Sequence, residues 1–283
     1  MVYSQQSGVI MKPILEITST QNPKIKAVLA LRDRRDREET GLFIIEGYRE
    51  LARALEGGVV LEQLFFTESL FLGENEGSLL EAFQKQGTSL YSCIESILRK
   101  ISYRDRPDGL VGVAKQMDTS FRQFTSSFHS ANPFLLIAEA IEKPGNLGTI
   151  LRSSDAVGVD GVILSDRCTD LFNPNVVRAS VGTLFTQPVA EAEGRELLAW
   201  LKKQGIQILA ATPHAEKEFT QVDLRGPVAI LVGTEQLGLS PLWMEAADIQ
   251  VRIPMNGVAD SLNVATATTL LLYEVLRQRR LPS

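Results

Sequence analysis

FLLIAEAIEKPGNLGTILRSSDAVGVDGVILS, Phe134 to Ser165, decides the fold. Its opening FLLIA is a continuous apolar run, the pattern of a strand covered on both faces. A glycine-containing loop follows, and then a helical period through Leu151 and Ala156 to Gly158. A second apolar run, GVILS, closes the stretch. Strand, helix and strand in this order form one βαβ unit, and such a crossover joins parallel strands.

The same alternation continues outward. A short helix is expected from Asn175 to Leu184 and a longer one from Arg195 to Gln204. Further strands are ILAAT (Ile208–Thr212), VAILVGTE (Val228–Glu235) and IQVRIP (Ile249–Pro254). A last helix is expected from Ser261 to Arg279, with Leu262, Ala265, Leu270, Leu272 and Val275 inward. Residues 133–283 therefore read as one α/β domain with a parallel sheet between helices. Ligands of such sheets bind in loops beyond the carboxyl ends of the strands.

Residues 15–116 read as a smaller α/β domain. Asn22-Pro23 offers a helix start, and the strands are Leu42–Gly47, Leu61–Glu68 and Leu110–Gln116. A helix from Tyr48 ends at Gly57-Gly58. The Ser- and Thr-rich residues 117–132 read as a linker closing on Asn132-Pro133. Residues 1–14 read as a flexible lead, with Met1 or Met11 as the start.

The chain has 283 residues, 44% hydrophobic and 22% charged, and a formal net charge of −5. That balance argues against unselective coating of nucleic acid, which draws on Lys and Arg. Contact with RNA would need local basic faces, and two exist: Lys24 to Arg37 and Arg99 to Arg106. Both are interrupted by acids, Asp33, Asp36 and Asp105. Cys93 and Cys168 match no metal or disulfide spacing. No signal peptide or membrane span is legible, so a cytoplasmic protein without a metal is expected.

Three segments carry chemistry. In Glu139–Gly161, a strand ends, Gly145 and Gly148 allow close backbone approach, and Asn146 and Arg152 are expected near one another. In Ala229–Ser240, a buried strand delivers Gly233, Thr234 and Glu235 into a loop, where the carboxylate would need a partner. In Arg252–Glu274, Pro254 and Gly257 force an irregular loop. There Ser261 is a plausible N-cap, and Asn263 is an amide in the first turn of an apolar helix. Neither GxGxxG nor GxxxxGK[ST] occurs, which leaves dinucleotide and P-loop readings without their fingerprints. His129 and His214 lack an accompanying nucleophile motif and read as loop residues.

Together PGNLGTILRSSDAVGVDG, LVGTEQLGLS and IPMNGVADSLNVATATTLLLYE resemble the three signature motifs of the SpoU (TrmH-like) family of the SPOUT superfamily. FNPNVVRASVGTLF (Phe172–Phe185) resembles a further segment of that family. STQNPKIKAVLALRDRR through LFIIEG resembles the substrate-binding domain of its ribosomal RNA branch, itself similar to an RNA-binding ribosomal protein. The resemblance implies an S-adenosylmethionine-dependent RNA 2′-O-ribose methyltransferase with a trefoil-knotted C-terminal domain, acting as a homodimer on ribosomal RNA of the large subunit. It implies site roles for Asn146, Arg152, Glu235, Ser261 and Asn263. Cofactor contacts are implied at Thr212, Gly233, Ile253, Met255, Leu262 and Asn263. Two alternatives stand beside it: a tRNA substrate, and a non-catalytic RNA-binding module on the same fold.

Overall fold

The computed structural model describes residues 12–166, 168–234 and 237–281. The chain divides into two compact units. One runs through Met117 and includes Phe172–Pro174; the other takes Asp118–Leu171 and Asn175 onward.

The first unit is built from β1 (Leu15–Ile17), α1 (Pro23–Ala30), α2 (Arg34–Thr40), β2 (Leu42–Glu46), α3 (Tyr48–Glu56), β3 (Leu61–Phe66), α4 (Glu76–Lys85), β4 (Ser89–Cys93), α5 (Glu95–Ile101) and β5 (Leu110–Lys115). The strands form a mixed sheet in the order β1-β4-β3-β5-β2. β4 is parallel to β1 and β3, whereas β5 is antiparallel to β3 and β2. Helix α1 starts as its sequence dictates: the Asn22 side chain accepts from Lys24 N at 2.9 Å, and Pro23 fills the first helical position. Ile25, Val28 and Leu31 then pack with Phe65, Tyr91, Ile97 and Val111 in one apolar core.

The second unit contains α6 (Phe121–Ser127), β6 (Phe134–Glu139), α7 (Pro144–Val157), β7 (Gly161–Ser165), α8 (Pro174–Ala179), β8 (Val189–Ala192), α9 (Gly194–Gln204), β9 (Gln207–Ala211), β10 (Lys217–Glu218), β11 (Val228–Val232), α10 (Pro241–Ala246), β12 (Ile249–Arg252) and α11 (Val264–Arg280). Seven strands run in the order β10-β12-β9-β11-β6-β7-β8, every pair parallel. All carboxyl ends therefore share one edge of the sheet. The strand stretches FLLIA and VAILV are buried at every position, as their unbroken apolar character requires.

Three local expectations are revised. The stretch expected as linker carries α6, whose Phe121 and Phe124 pack into the second core beside Trp200. Leu270 faces outward at 41% exposure, and its neighbour Leu271 takes the buried position. Ser261 does not cap α11: Asn263 does, its side chain accepting from Ala265 N at 3.0 Å.

Gly148 is where α7 meets α8. A methyl group there would press on Ala179 Cβ and lie 2.8 Å from Val176 O and 2.9 Å from Ser180 N. Two of those neighbours are backbone and cannot swing aside. Gly148→Ala should therefore destabilise the protein by about 1–3 kcal/mol, as overpacking does. Denaturant midpoints of the variant and the parent check this; an unchanged midpoint would mean the two helices are free to part.

Candidate active site

The carboxyl edge of the second sheet collects the ends of β12, β9, β11 and β6 as neighbours. Backbone geometry marks this edge. Ala140, one residue past β6, and Asp166, one past β7, both have positive φ, at 51° and 59°. Val181 in the segment after α8 does too, at 55°. Non-glycine residues take this conformation rarely, a β-branched one least of all, and such strain concentrates at functional sites.

The β6 end supplies a carboxylate that sequence reading did not single out. Glu139 is buried, and its Oε2 accepts from Ser240 N at 2.8 Å, across 101 residues of chain. That bond holds the amino end of α10 against the β6 terminus. Beside it, Cys168 donates to Ala138 O at 3.4 Å and receives the Ile141 N–H at 3.3 Å. Burial pushes the Cys168 thiol up to about 11, so it stays protonated and is no nucleophile at neutral pH.

From β11 the chain enters the loop containing Gly233 and Thr234. Thr234 and Gly238 exchange both backbone hydrogen bonds, N to O at 3.0 and 3.1 Å. The Thr234 hydroxyl also accepts from Leu237 N at 2.9 Å. This hairpin folds straight back over Gly233, which has no room for a side chain. Glu235, expected in this loop as a site carboxylate, lies outside the described residues.

Asn146 and Asn263 meet. Asn263 Nδ2 donates to Asn146 Oδ1 at 3.1 Å, while Asn263 Oδ1 caps α11. One amide thus joins the first turns of α7 and α11. Further along, the Ser153 and Thr269 hydroxyls hydrogen-bond at 2.7 Å and keep the two helices aligned. A small cavity of about 60 Å³ opens beside the pair, lined by Ile141, Lys143, Asn146, Thr234, Leu237 and Val264.

Arg152 does not join the two asparagines. It sits six residues beyond Asn146, a rise of about 9 Å and a different face of the helix. Its side chain is exposed, with no hydrogen bond or ion pair among the described residues. An unpartnered guanidinium on an ordered helix is free for an anion from outside this chain. Ser261 is likewise exposed.

The positions named for a cofactor fall around the same edge. Thr212 follows β9 and donates to Val251 O at 2.9 Å. Ile253 and Met255 follow β12 and are half-buried, as is Leu262. Pro254 to Leu262 makes no intrachain backbone hydrogen bond among the described residues. Its peptide groups are open to a ligand with its own donors and acceptors. Half-buried Ile, Met and Leu beside unpaired peptide groups suit a molecule with an apolar face and a polar edge. Among the described residues no cluster of His, Cys, Asp and Glu fits a metal ion, and no helix is long and apolar enough to cross a membrane.

Replacing Asn263 tests the junction. Asn263→Ala removes the α11 cap and the bond to Asn146 together. Loss of such a cap costs about 0.5–2 kcal/mol. Calorimetric titration with S-adenosylmethionine should show affinity weakened about tenfold or more, a drop worth about 1.4 kcal/mol. Parent-like affinity would mean that the amide serves the helix alone.

Comparison with known proteins identifies the family. Residues 133–273 match the SpoU rRNA Methylase family, and residues 22–112 match the MRM3-like substrate binding domain. An uncharacterized tRNA/rRNA methyltransferase of Synechocystis is 34% identical, the match covering 94% of this chain and 95% of that one. A 23S rRNA (guanosine(2553)-2′-O)-methyltransferase of Bacillus subtilis is 28% identical over 92% and 98% of the two chains. The crystal structure of an AdoMet-bound rRNA methyltransferase from Sinorhizobium meliloti superposes with a TM-score of 0.84 at 32% identity, covering 93% and 98%.

Proposed function

We propose that this chain, which belongs to the SpoU rRNA methylase family, transfers a methyl group from S-adenosylmethionine to a ribose 2′-hydroxyl of large-subunit ribosomal RNA. As a member of that family it is an S-adenosylmethionine-dependent RNA 2′-O-methyltransferase. The observation that carries the site assignment is the junction of α7 and α11 through Asn146 and Asn263, set against the open peptide groups after β12.

S-adenosylmethionine, when bound, supplies an electrophilic methyl group on a sulfonium. The residues that would hold it are Thr212, Gly233, Ile253, Met255, Leu262 and Asn263, largely through backbone. The chain's own task is to bring the sugar oxygen to near-attack distance, roughly 3–3.5 Å, and to ease departure of its proton. Arg152 is read here as a clamp for negative charge and not as the base. Its fork instead clamps a substrate phosphate and stabilises charge growing on the 2′-oxygen, while the proton leaves to phosphate or water. Asn146 orients the ribose. Glu235 would fix the Asn146 and Arg152 pair, and Ser261 is read as a further site residue.

Two finer features belong to it. The C-terminal domain is read as a trefoil knot, supported by its similarity to AdoMet-bound family structures. The enzyme is read as a homodimer. Leu270 and Tyr273, 41% and 48% exposed, form an apolar stripe on α11 that a second copy would cover. Arg152 then acts at a site completed near that interface.

The N-terminal unit favours ribosomal RNA over tRNA, because it matches a substrate-binding domain and offers Lys24, Lys26, Arg34 and Arg35 near its surface. Mass-spectrometric mapping of ribose methylation decides the matter. RNA from a strain lacking the gene should lose one 2′-O-methyl group in large-subunit rRNA, restored by the parent gene. Loss confined to tRNA would overturn the substrate, and no loss anywhere would overturn the activity.

A further inference from the structure

The residues that would hold the cofactor, Thr212, Gly233, Ile253, Met255, Leu262 and Asn263, carry no charge. S-adenosylmethionine ends in an amino acid, with an α-ammonium beside an α-carboxylate. A charge taken out of water without a partner costs free energy, so a site that seats this end should answer both charges. The apolar and peptide surface after β12 suits the adenosine and leaves that end unanswered.

A place for it adjoins the same surface. The cavity of about 60 Å³ is far below the roughly 300–1,000 Å³ of pockets that enclose a whole ligand, so it takes an end and not the nucleoside. Its lining sets Glu142 and Lys143 side by side, with the Asn146 amide, the Thr234 hydroxyl, and Ile141 and Val264 as apolar surface. An anion next to a cation mirrors the ammonium and carboxylate of an amino acid. Ile141 and Val264 suit the methylene groups that lead from there to the sulfur. Thr234 and Val264 each directly follow a cofactor position, Gly233 and Asn263. The cavity therefore continues the cofactor surface toward α7.

The charged pair is presented by a fixed loop. Ala140 turns the chain out of β6 with φ at 51°. Ile141 N then donates to Cys168 Sγ at 3.3 Å, and Ile141 O accepts from Thr169 N at 2.7 Å. On the other flank, Lys143 O accepts from Asn146 N and Leu147 N at 3.0 and 3.1 Å, in the first turn of α7. Backbone anchors thus stand on both sides of Glu142 and Lys143, which are themselves exposed. Glu142 makes no hydrogen bond or ion pair among the described residues. Lys143 has an interaction within the chain, and an ammonium with three donors can also serve a carboxylate beside it.

We infer that the cavity between the β6–α7 loop and the Thr234–Gly238 hairpin seats the amino-acid end of S-adenosylmethionine, Lys143 taking its carboxylate and Glu142 its ammonium. The inference rests on the cofactor of the reaction proposed above. It adds two positioning residues to the segment that also carries Asn146 and Arg152.

Calorimetric titration of the full chain tests this, with three ligands at one fixed salt concentration. They are S-adenosylmethionine, its decarboxylated form, which lacks the carboxylate alone, and 5′-methylthioadenosine, which lacks the whole amino-acid end. The parent should bind S-adenosylmethionine at least about tenfold more tightly than the decarboxylated form, the scale of one charge-assisted hydrogen bond. Lys143→Met should bring that preference below about twofold, and Lys143→Arg should keep most of it. Methylthioadenosine should bind both variants as it binds the parent, which shows the fold and the nucleoside site intact. Glu142→Gln should weaken the two ammonium-bearing ligands alike by about tenfold and leave methylthioadenosine unchanged. Equal binding of S-adenosylmethionine and its decarboxylated form by the parent overturns the inference, as does a preference that survives Lys143→Met. So does an equal loss of methylthioadenosine, which would make Lys143 a support of the loop. Unchanged cofactor affinity with weakened RNA binding overturns it too, and would make Lys143 a substrate contact. Parallel methylation assays separate the two readings. Methylation by an enzyme indifferent to the amino-acid end defeats this inference alone; a cofactor held by that end without methylation of any RNA defeats the proposed activity alone.

Discussion

Arg152→Ala is expected to lower methyl transfer by about 10²- to 10³-fold, the cost of losing one preorganised donor at developing charge. S-adenosylmethionine binding should stay unchanged in calorimetry. The two effects separate because Arg152 stands about 9 Å along α7 from the Asn146–Asn263 junction and makes no bond to it. An interaction made only as the oxygen is alkylated lowers kcat and kcat/KM together. Arg152→Lys should fall between, since it keeps the charge but loses the planar fork. The residue is exposed, so neither variant should shift the thermal midpoint. Turnover of Arg152→Ala near the parent rate would remove this side chain from the mechanism.

Gly233→Ala should be as damaging for a different reason. A Cβ at this position would press on the carbonyl oxygen of Gly238, with the carbonyl carbon at 2.5 Å and Leu239 N at 2.8 Å. Every obstructing atom is backbone. Relief requires the Thr234–Gly238 hairpin to swing away, which breaks its two reciprocal hydrogen bonds. That hairpin leads to Ser240, held by Glu139 at the β6 end, so a displacement there spreads across the site. A shift near 1 Å in a positioning element costs about 100-fold in rate. Here cofactor affinity should fall as well, in contrast to Arg152→Ala. Retained affinity in Gly233→Ala would show that the loop takes no part in binding the cofactor.

Much of this architecture is legible in the sequence because its strands are long and uniformly apolar. FLLIA and VAILV can be little else than covered parallel strands. Elements that rest on long-range partners are not legible. β1 is three residues with two exposed, and β10 is a pair; each exists because a neighbouring strand offers a ladder. Helix α6 hides in a Ser- and Thr-rich stretch, although Phe121, Phe124 and Phe128 recur at spacings of three and four. That spacing was the available signal. In TLLLYE the period also decides: Leu270 and Leu272 lie on opposite faces of a helix, so both cannot be inward. Thr268, Leu271, Leu272 and Val275 make the buried face.

The site divides the same way. Asn263 was marked by its chemistry, an amide in an apolar first turn. Its partnership with Asn146 needed coordinates, as did the identity of the cap. Ser261 and Asn263 are both good capping residues, and only the backbone path selects between them. Glu139 looks like a strand terminus in sequence, because its partner lies 101 residues downstream.

The strand order has a consequence for how the protein is made. β6 is flanked by β7, which emerges soon after it, and by β11, which begins only at Val228. While the ribosome adds the intervening residues, at about 5–20 per second, one backbone edge of β6 stays unpaired for on the order of ten seconds. The centre of the sheet is thus among the last things to close. Newly made chains should be most vulnerable to clumping, and most in need of a chaperone, during that interval.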